Sequence, residues 1–329
     1  MRNFRTGCLC GLLLAPLSAV AADEKFPLQS VSVIHESFFI STPAFRGLVH
    51  RAEWLEVKAR VNKNWSATIT DLQFRDRNIL DETYLQYEND MLMGRAGRLR
   101  GAFGLGDWSD LFYNVVTRQP MIRSMPVLDR YALNGFTSGG EAHLFQDGMQ
   151  LSLQYGDSTL TERQFLPHKG NVGQARLSGT IGDAAVGTSF AKIGNGPFGP
   201  GGQVFGLDLD HVANRVHLRA ELMASQGSGL TSKGYFADLG YRLPGNIRTE
   251  IGVRLEEYAM GSTRERMMTA GARYVPLPQL AFNLNYGWEP KFGWLNADAG
   301  QPGAPFNKAY ASTLRGWFFQ TMLAFRFKT

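Results

Sequence analysis

The sequence predicts an all-β protein: a transmembrane, antiparallel, up-and-down β-barrel of about 16 strands. Three observations support this fold class. Apolar and polar residues alternate with period two in segments of about ten residues, short and long connections alternate between these segments, and aromatic residues gather at the segment ends. After residue 22 no apolar run approaches the length of about 18 residues that a membrane-spanning helix needs.

The N-terminus has the three parts of a signal peptide. A basic region and an apolar stretch are followed by small residues at 19–22, and charge begins at Asp23. The apolar stretch is too short to cross about 30 Å of hydrocarbon as a helix, which argues against a retained anchor. We therefore expect residues 1–22 to be removed and residues 23–329 to form one barrel in the outer membrane of a Gram-negative-type cell.

The composition argues against several classes of function. Cys8 and Cys10 are the only cysteines of the chain, and they would leave with the signal peptide, so the mature chain has no disulfide or thiolate site. The formal net charge of +5 is weak for a nucleic-acid partner. The six histidines are scattered, and the sequence contains neither His-Glu-x-x-His nor Gly-x-Ser-x-Gly. We expect no metal, no cofactor, no nucleic acid and no enzymatic activity, although a Ser/His pair built from strand residues stays open.

Alternation over the first half of the chain predicts the early strands. They are expected at 30–41, 52–62, 66–76, 78–88, 90–103 and 130–146. The first of these is the least regular. If it and its neighbour are not strands, the count falls to about 14, which is again the even number that leaves both termini on the periplasmic side.

The later strands are clearer. In the last one, Trp317, Phe319 and Leu323 share a face that suits lipid, and Gln320 lies on the other. The same alternation extends over 215–222, 247–256 and 280–288. A soluble sandwich could also expose the charged faces, but aromatic residues at strand ends favour the interfacial belts of a membrane barrel.

Connection lengths provide an independent test of the topology. Tight turns are predicted at 147–148, 182–183, 213–214, 243–246 and 276–279, and longer connections at 156–170, 194–202, 225–232, 258–265 and 289–312. The two kinds alternate without a break. Outer-membrane barrels have this rhythm, with short periplasmic turns and longer external loops.

The connection at 104–130 is the first candidate functional element. It is long and rich in apolar and aromatic residues, so it is expected to pack against something, and the inside of the barrel wall is the available surface. There it would narrow the pore and present Asp107, Asp110, Arg118 and Arg123. An external flap with ordinary surface charges is the alternative.

Strand residues supply further candidates for the pore lining. Arg98 and Arg100 share one strand face, opposite Leu99 and Phe103. An arginine that faces lipid at mid-membrane costs about 2–4 kcal/mol, so these two arginines are expected to face the lumen.

Other lumen candidates carry both signs of charge. Arg219 and Arg254 could attract anions. Acids such as Glu221 lie on the same faces, so the sequence leaves open both an anion path and a ladder of neutralising arginine–acid pairs.

One part of the chain resembles a known family. The acidic and aromatic strand at 81–87, followed by the Gly-Arg-rich strand at 94–105, is similar to a strand pair of the phosphate-selective porins. The resemblance implies a porin-like barrel. It does not imply phosphate selectivity, because the cluster of lysines and arginines that forms an anion ladder in that family is missing here.

The sequence therefore predicts an outer-membrane channel for passive diffusion of small hydrophilic solutes or ions. Its expected partners are outer-membrane lipid, the solutes and, in a homotrimer, further copies of the chain. Two alternatives stay open. One is a non-conducting barrel with a structural or interaction role, presenting its 289–312 connection outward, and the other is an outer-membrane hydrolase.

Overall fold

The structure is a computed structural model. It describes residues 28–41, 46–74, 77–105, 115–116, 120, 122, 136–159, 171–194, 201–227, 230–245, 248–260, 263–288 and 316–328. The predicted signal peptide lies outside these residues. Among the described residues no helix is both long and apolar enough to cross a membrane.

The described chain forms sixteen β-strands. They are β1 Leu28–Ser41, β2 Arg46–Arg60, β3 Trp65–Phe74, β4 Arg77–Glu88, β5 Leu92–Arg100, β6 Phe136–Gln146, β7 Met149–Thr159, β8 Asn171–Ile181, β9 Ala184–Ile193, β10 Gly202–Ala213, β11 Val216–Gly227, β12 Leu230–Arg242, β13 Thr249–Met260, β14 Thr263–Leu277, β15 Leu280–Trp288 and β16 Gly316–Lys328. The predicted count of sixteen, including a first strand at 30–41, is confirmed.

Every strand pairs antiparallel with the next one along the chain, and β1 pairs with β16 to close the barrel. The closing register runs from Ser30 opposite Lys328 to Ser41 opposite Trp317. A closed barrel pairs the backbone donors and acceptors between strands and leaves no open edge, as a hydrocarbon surrounding requires.

The two faces of the wall differ sharply in polarity. On β7, Leu153 is 45% exposed whereas Gln154 is 3% exposed, and on β10 the values are 56% for Leu207 and 7% for Asp208. The exposed apolar residues form the outer face, and the buried polar residues line the inside. Period-two alternation in the sequence predicts this division.

Aromatic side chains gather toward the ends of the outer face. The Tyr286 ring lies 4.8 Å from that of Trp317 and 5.9 Å from that of Trp288, measured between centroids. Trp65 and Tyr87 form an edge-to-face pair at 5.3 Å. Amphipathic rings favour the two membrane–water interfaces.

Tight turns close the hairpins at the end opposite the long connections. Asp147 and Gly148 have φ values of 49° and 77° between β6 and β7, and Asn214 has φ 53° between β10 and β11. The two consecutive positive φ values of Asp147 and Gly148 are typical of a type I′ turn, whose twist matches that of the flanking strands. The turn residues in the sequence thus predict these hairpins correctly. The longer connections predicted at 225–232 and 258–265 are wrong, because β11 pairs with β12 and β13 with β14 through these residues, leaving only 228–229 and 261–262 between the strands.

Candidate functional site: the barrel interior and the β5–β6 loop

The β5–β6 loop, residues 101–135, enters the barrel as soon as β5 ends. Its described residues are 101–105, 115, 116, 120 and 122. Gln154 on β7 accepts from the Ala102 amide at 3.3 Å and donates to the Arg100 carbonyl at 2.7 Å. The Gly104 amide donates to Ser189 Oγ on β9 at 3.0 Å. The loop therefore crosses the inner face of β7 and β9.

Apolar loop residues share a buried cluster with the wall. Phe103 and Ile122 are 1% and 0% exposed. The wall residues of the cluster, on β8 to β13, are Val172, Ala191, Ile193, Val204, Met223, Phe236 and Tyr258. Burying one such side chain contributes about 1.5–3 kcal/mol. This cluster explains why a loop between two membrane strands is apolar.

The second described piece of the loop, residues 115–116, packs against a row of glycines on the wall. Gly240, Gly252 and Gly271 lie opposite one another on β12, β13 and β14. A Cβ atom on Gly271 would lie 2.9 Å from the Val115 carbonyl oxygen, and one on Gly252 would lie 3.3 Å from Val115 Cγ1. Only residues without side chains allow Val115 to approach the wall so closely. Sequence reasoning missed this row, although glycine recurs on one face of three consecutive strands.

Three lumen side chains hold the loop by its backbone carbonyls. Asn285 Nδ2 donates to the Val115 carbonyl at 2.8 Å, Arg254 Nη2 to that of Val116 at 3.3 Å, and Arg219 Nη2 to that of Leu105 at 3.4 Å. Buried carbonyls need such donors, since an unsatisfied one costs about 1–3 kcal/mol. The sequence singled out Arg219 and Arg254 as lumen residues, but their bonds to the loop, and Asn285, were not predicted.

Arg254 also belongs to a fully formed ion pair. Its side chain is 1% exposed, and Nη2 donates to Asp238 Oδ2 at 2.6 Å while Nε donates to Oδ1. The guanidinium carbon lies 5.2 Å from the centre of the Phe236 ring. This two-point contact fixes the plane of the guanidinium, and the same Nη2 that bonds Asp238 also donates to the Val116 carbonyl of the loop.

Other inner-wall charges are paired as well. Arg176 on β8 reaches over Gly187 on β9 to a two-point contact with Asp208 on β10, with Nη2 2.7 Å from Oδ1. A Cβ on Gly187 would lie 2.5 Å from Arg176 Nη2, so glycine leaves the passage open. Arg219 Nε lies 3.3 Å from Asp210 Oδ2. Glu221, another predicted lumen residue, is 1% exposed.

The expectation that Arg98 faces the lumen is corrected by the register of β5. Arg98 lies opposite Thr83 on β4 and Ser138 on β6, on the face of the exposed Leu85, whereas Leu99 lies opposite the buried Thr137 on the inner face. Leu99 is 0% exposed on this inner face, and Phe103 belongs to the buried cluster that the loop shares with the wall. The rule that apolar residues face lipid is inverted where the loop covers the wall.

The other two arginines of β5 are Arg100 and Arg95. Arg100, at the end of the strand, lies beside Glu82, with Nε 3.9 Å from Oε2. Arg95 is the inward arginine of β5, and its Nη2 lies 2.6 Å from Glu141 Oε2. The remaining sequence candidates, Asp107, Asp110, Arg118 and Arg123, lie outside the described residues.

A hydrogen-bonded row of Ser, His and Glu lies beside Arg95. Ser152 Oγ is 2.8 Å from His143 Nδ1, and His143 Nε2 is 2.6 Å from Glu141 Oε1. Gln150 Nε2 lies 2.7 Å from His143 Nδ1 and 3.0 Å from Ser152 Oγ. The sequence leaves open a catalytic Ser/His pair but does not identify the residues that form it. Across the described ranges, no group of three or more His, Cys, Asp or Glu residues could hold a metal ion.

Comparison with known proteins supports the fold. No family model matches the chain, and no curated protein matches it in sequence. Salmonella typhi OmpF, solved in complex with daunomycin, has a TM-score of 0.64 at 9% identity over 91% of this chain and 97% of that chain. An anion-selective porin from Comamonas acidovorans has a TM-score of 0.58 at 10% identity, covering 92% and 98%. The trimer form of OmpT, an outer membrane protein of Vibrio cholerae, has a TM-score of 0.58 at 10% identity, covering 91% and 98%.

At these identities the likeness concerns the fold alone. The chain has the porin fold, a closed sixteen-stranded antiparallel barrel. The similarity to the phosphate-selective family, which the sequence suggested, finds no support in these comparisons.

Proposed function

We propose that the protein is an outer-membrane channel for passive diffusion of small hydrophilic solutes or ions, narrowed by the β5–β6 loop. The observation that carries this proposal is the attachment of the loop to the inner wall. Phe103 and Ile122 are buried against the wall, and Arg219, Arg254 and Asn285 bond the loop carbonyls. A loop held in this way supports a constriction of the lumen over an external flap.

The lumen charges favour weak selectivity between anions and cations. Arg176, Arg219 and Arg254 each face a carboxylate. A paired arginine attracts a passing anion less, since the field of its partner opposes its own. Of the two arrangements that the sequence left open, these pairs favour the neutralising ladder.

Liposome swelling with uncharged sugars of increasing size tests the channel directly. We expect small sugars to enter vesicles that contain the purified protein and larger ones to be excluded. Leu207→Ala, a change on the outer face, serves as the control and should leave the size limit unchanged. Vesicles that admit no sugar and carry no ion current would refute the channel and favour the non-conducting barrel.

The row of Ser152, His143 and Glu141 supports a second candidate function, hydrolysis. His143 would accept the serine proton through Nδ1, and Glu141 would orient the imidazole through Nε2, which are the roles of a Ser-His-acid triad. Gln150 could donate to an oxyanion that forms at the substrate. A fluorophosphonate probe should label the wild type and not Ser152→Ala. Equal labelling of both proteins would reject this function.

We propose further that the barrel associates with copies of itself as a homotrimer, through a polar strip on β1, β3 and β16. On the outer face of β1, His35 Nε2 lies 3.1 Å from Ser37 Oγ, and Ser37 is opposite Thr321. Asp71 on β3 also lies on the outer face, because it is opposite Leu55 on β2, and Leu55 is on the same face as the odd-numbered residues of β1. Polar groups on a lipid-facing wall are costly, so a protein partner suits the strip better than acyl chains.

Native mass spectrometry after extraction in mild detergent tests the oligomer. We expect a trimer for the wild type and for Leu207→Ala, and monomers when Ser37 and Thr321 are both replaced by tryptophan. A monomeric wild type would contradict this assembly. A trimer that withstands both tryptophans would contradict the position of the interface.

A further inference from the structure

We propose that the outer face of β12 to β14 carries a binding site for a phosphorylated glycolipid of the outer leaflet. The site consists of the cationic cluster, Lys233, Arg264 and Arg266 with Glu257, and of an apolar groove beside it. This inference does not depend on conduction. It requires only that the barrel spans the membrane.

The strand register brings the cluster together in two adjacent rows. Lys233, Ala259 and Arg264 lie opposite one another on β12, β13 and β14. In the next row, Tyr235, Glu257 and Arg266 lie opposite one another. The small side chain of Ala259 separates the two cations of the first row, so an anion above it can contact both.

A third row marks the point where the outer face becomes apolar. It consists of Ala237, Leu255 and Met268, again opposite one another. Leu255 is 46% exposed, as expected for a residue that faces acyl chains. Over these three rows the outer face changes from cationic to apolar, as expected where lipid headgroups meet acyl chains.

Glu257 holds the two arginines side by side. Its Oε1 lies 3.1 Å from Arg264 Nε, and its Oε2 lies 2.7 Å from Arg266 Nε. The Arg264 and Arg266 side chains are 55% and 38% exposed, so both remain accessible. Three cations and one carboxylate leave the cluster with a formal charge of +2, which matches a phosphate group.

An apolar groove of about 580 Å³ begins at the cluster. Besides Lys233, Glu257 and Arg264, its outward-facing lining includes Phe205, Leu207, Leu222, Ala224 and Tyr235. Ala224 lies directly opposite Lys233 and lines the groove beside it. A phosphate next to an acyl chain therefore fits both parts of the site, whereas a free phosphate ion would use only the cations.

The position of the cluster along the strands determines which leaflet it meets. Lys233 is near the start of β12, and Arg264 is the second residue of β14. Both strands begin at the end of the barrel that carries the long β5–β6 and β15–β16 connections, and this end faces outward in this class. Outward cations cost about 2–4 kcal/mol at the bilayer midplane and about 0–1 kcal/mol near the interface, so this cluster belongs at the level of the headgroups.

Lipid binding by the purified barrel in detergent tests the site, with native mass spectrometry as the readout and bisphosphorylated lipid A as the probe. Wild type should bind lipid A, and its affinity should fall as salt rises, because charge pairs at the surface are screened. Arg264→Gln should weaken binding about tenfold, since hydrogen bonds to charged groups are lost. Dephosphorylated lipid A should bind no better to wild type than to this variant.

The matched control is Lys192→Gln, which removes a single exposed cation from the outer face at the same end of the barrel, on β9. It should leave lipid A binding unchanged. An equal loss of binding in this control, or binding that is insensitive to salt and to Arg264→Gln, would overturn the proposal. Displacement of lipid A by inorganic phosphate at similar concentrations would show an anion site without a role for the groove, and would also overturn it.

Discussion

Arg254 is the residue whose removal tests the attachment of the loop most severely. In Arg254→Ala, Asp238 loses a two-point partner, and the Val116 carbonyl loses its donor at 3.3 Å. Because the arginine is 1% exposed, water replaces these contacts poorly. Removing one member of a buried ion pair costs about 3–5 kcal/mol. We therefore expect the free energy of unfolding to fall by about 3–5 kcal/mol.

A paired replacement separates the charge effect from the loss of packing. Arg254→Met combined with Asp238→Leu removes both charges, and such replacements are often close to neutral in stability. Urea unfolding in lipid vesicles, followed by tryptophan fluorescence, measures both variants. The double variant should recover most of the loss, yet both variants should conduct more than wild type because the bond to Val116 is missing. A loss below about 1 kcal/mol in Arg254→Ala, with unchanged conductance, would refute the reasoning.

Three further changes follow from other contacts of the inner wall and the turns. Gly271→Leu should displace the loop, because its Cβ would lie 2.9 Å from the Val115 carbonyl oxygen. Bilayer recording should then show a larger or fluctuating current. A current equal to that of wild type would contradict the role of the glycine row in seating the loop. Arg176→Ala leaves the carboxylate of Asp208, which is 1% exposed, without its two-point partner. The reversal potential in a salt gradient should therefore move toward cation preference. An unchanged reversal potential would indicate that this pair lies off the ion path. Gly148→Val places a β-branched residue at φ 77° and should destabilise the β6–β7 hairpin by about 1–2 kcal/mol in urea unfolding; an unchanged midpoint would reject strain at this turn.

The architecture could be predicted from the sequence because the membrane imposes it. A strand that faces lipid on one side and water on the other must alternate, as Leu207 and Asp208 do. Hairpin turns need residues that tolerate positive φ, which Asp147 and Gly148 provide. Closure then follows from the need to pair every backbone group.

The contacts inside the barrel could not be predicted in the same way, because they join residues that are far apart in the chain. Asn285 and Val115 are separated by 170 positions, and nothing local connects them. Leu99 and Phe103 are of a type that suits lipid, yet both are buried on the inner side, and Phe103 packs in the cluster that the loop forms with the wall. Arginine occurs on both faces of β5, so a preference for the lumen could not decide between Arg95 and Arg98.

The most direct test of the channel is the single-channel conductance of wild type beside a variant in which residues 107–130 are replaced by a short Gly-Ser linker. Each measurement uses purified protein in a planar bilayer. A narrowing loop on the inner wall requires discrete wild-type steps and clearly larger steps for the variant. Wild-type steps of the same size in both proteins, or no steps in either, would contradict a channel narrowed by the β5–β6 loop.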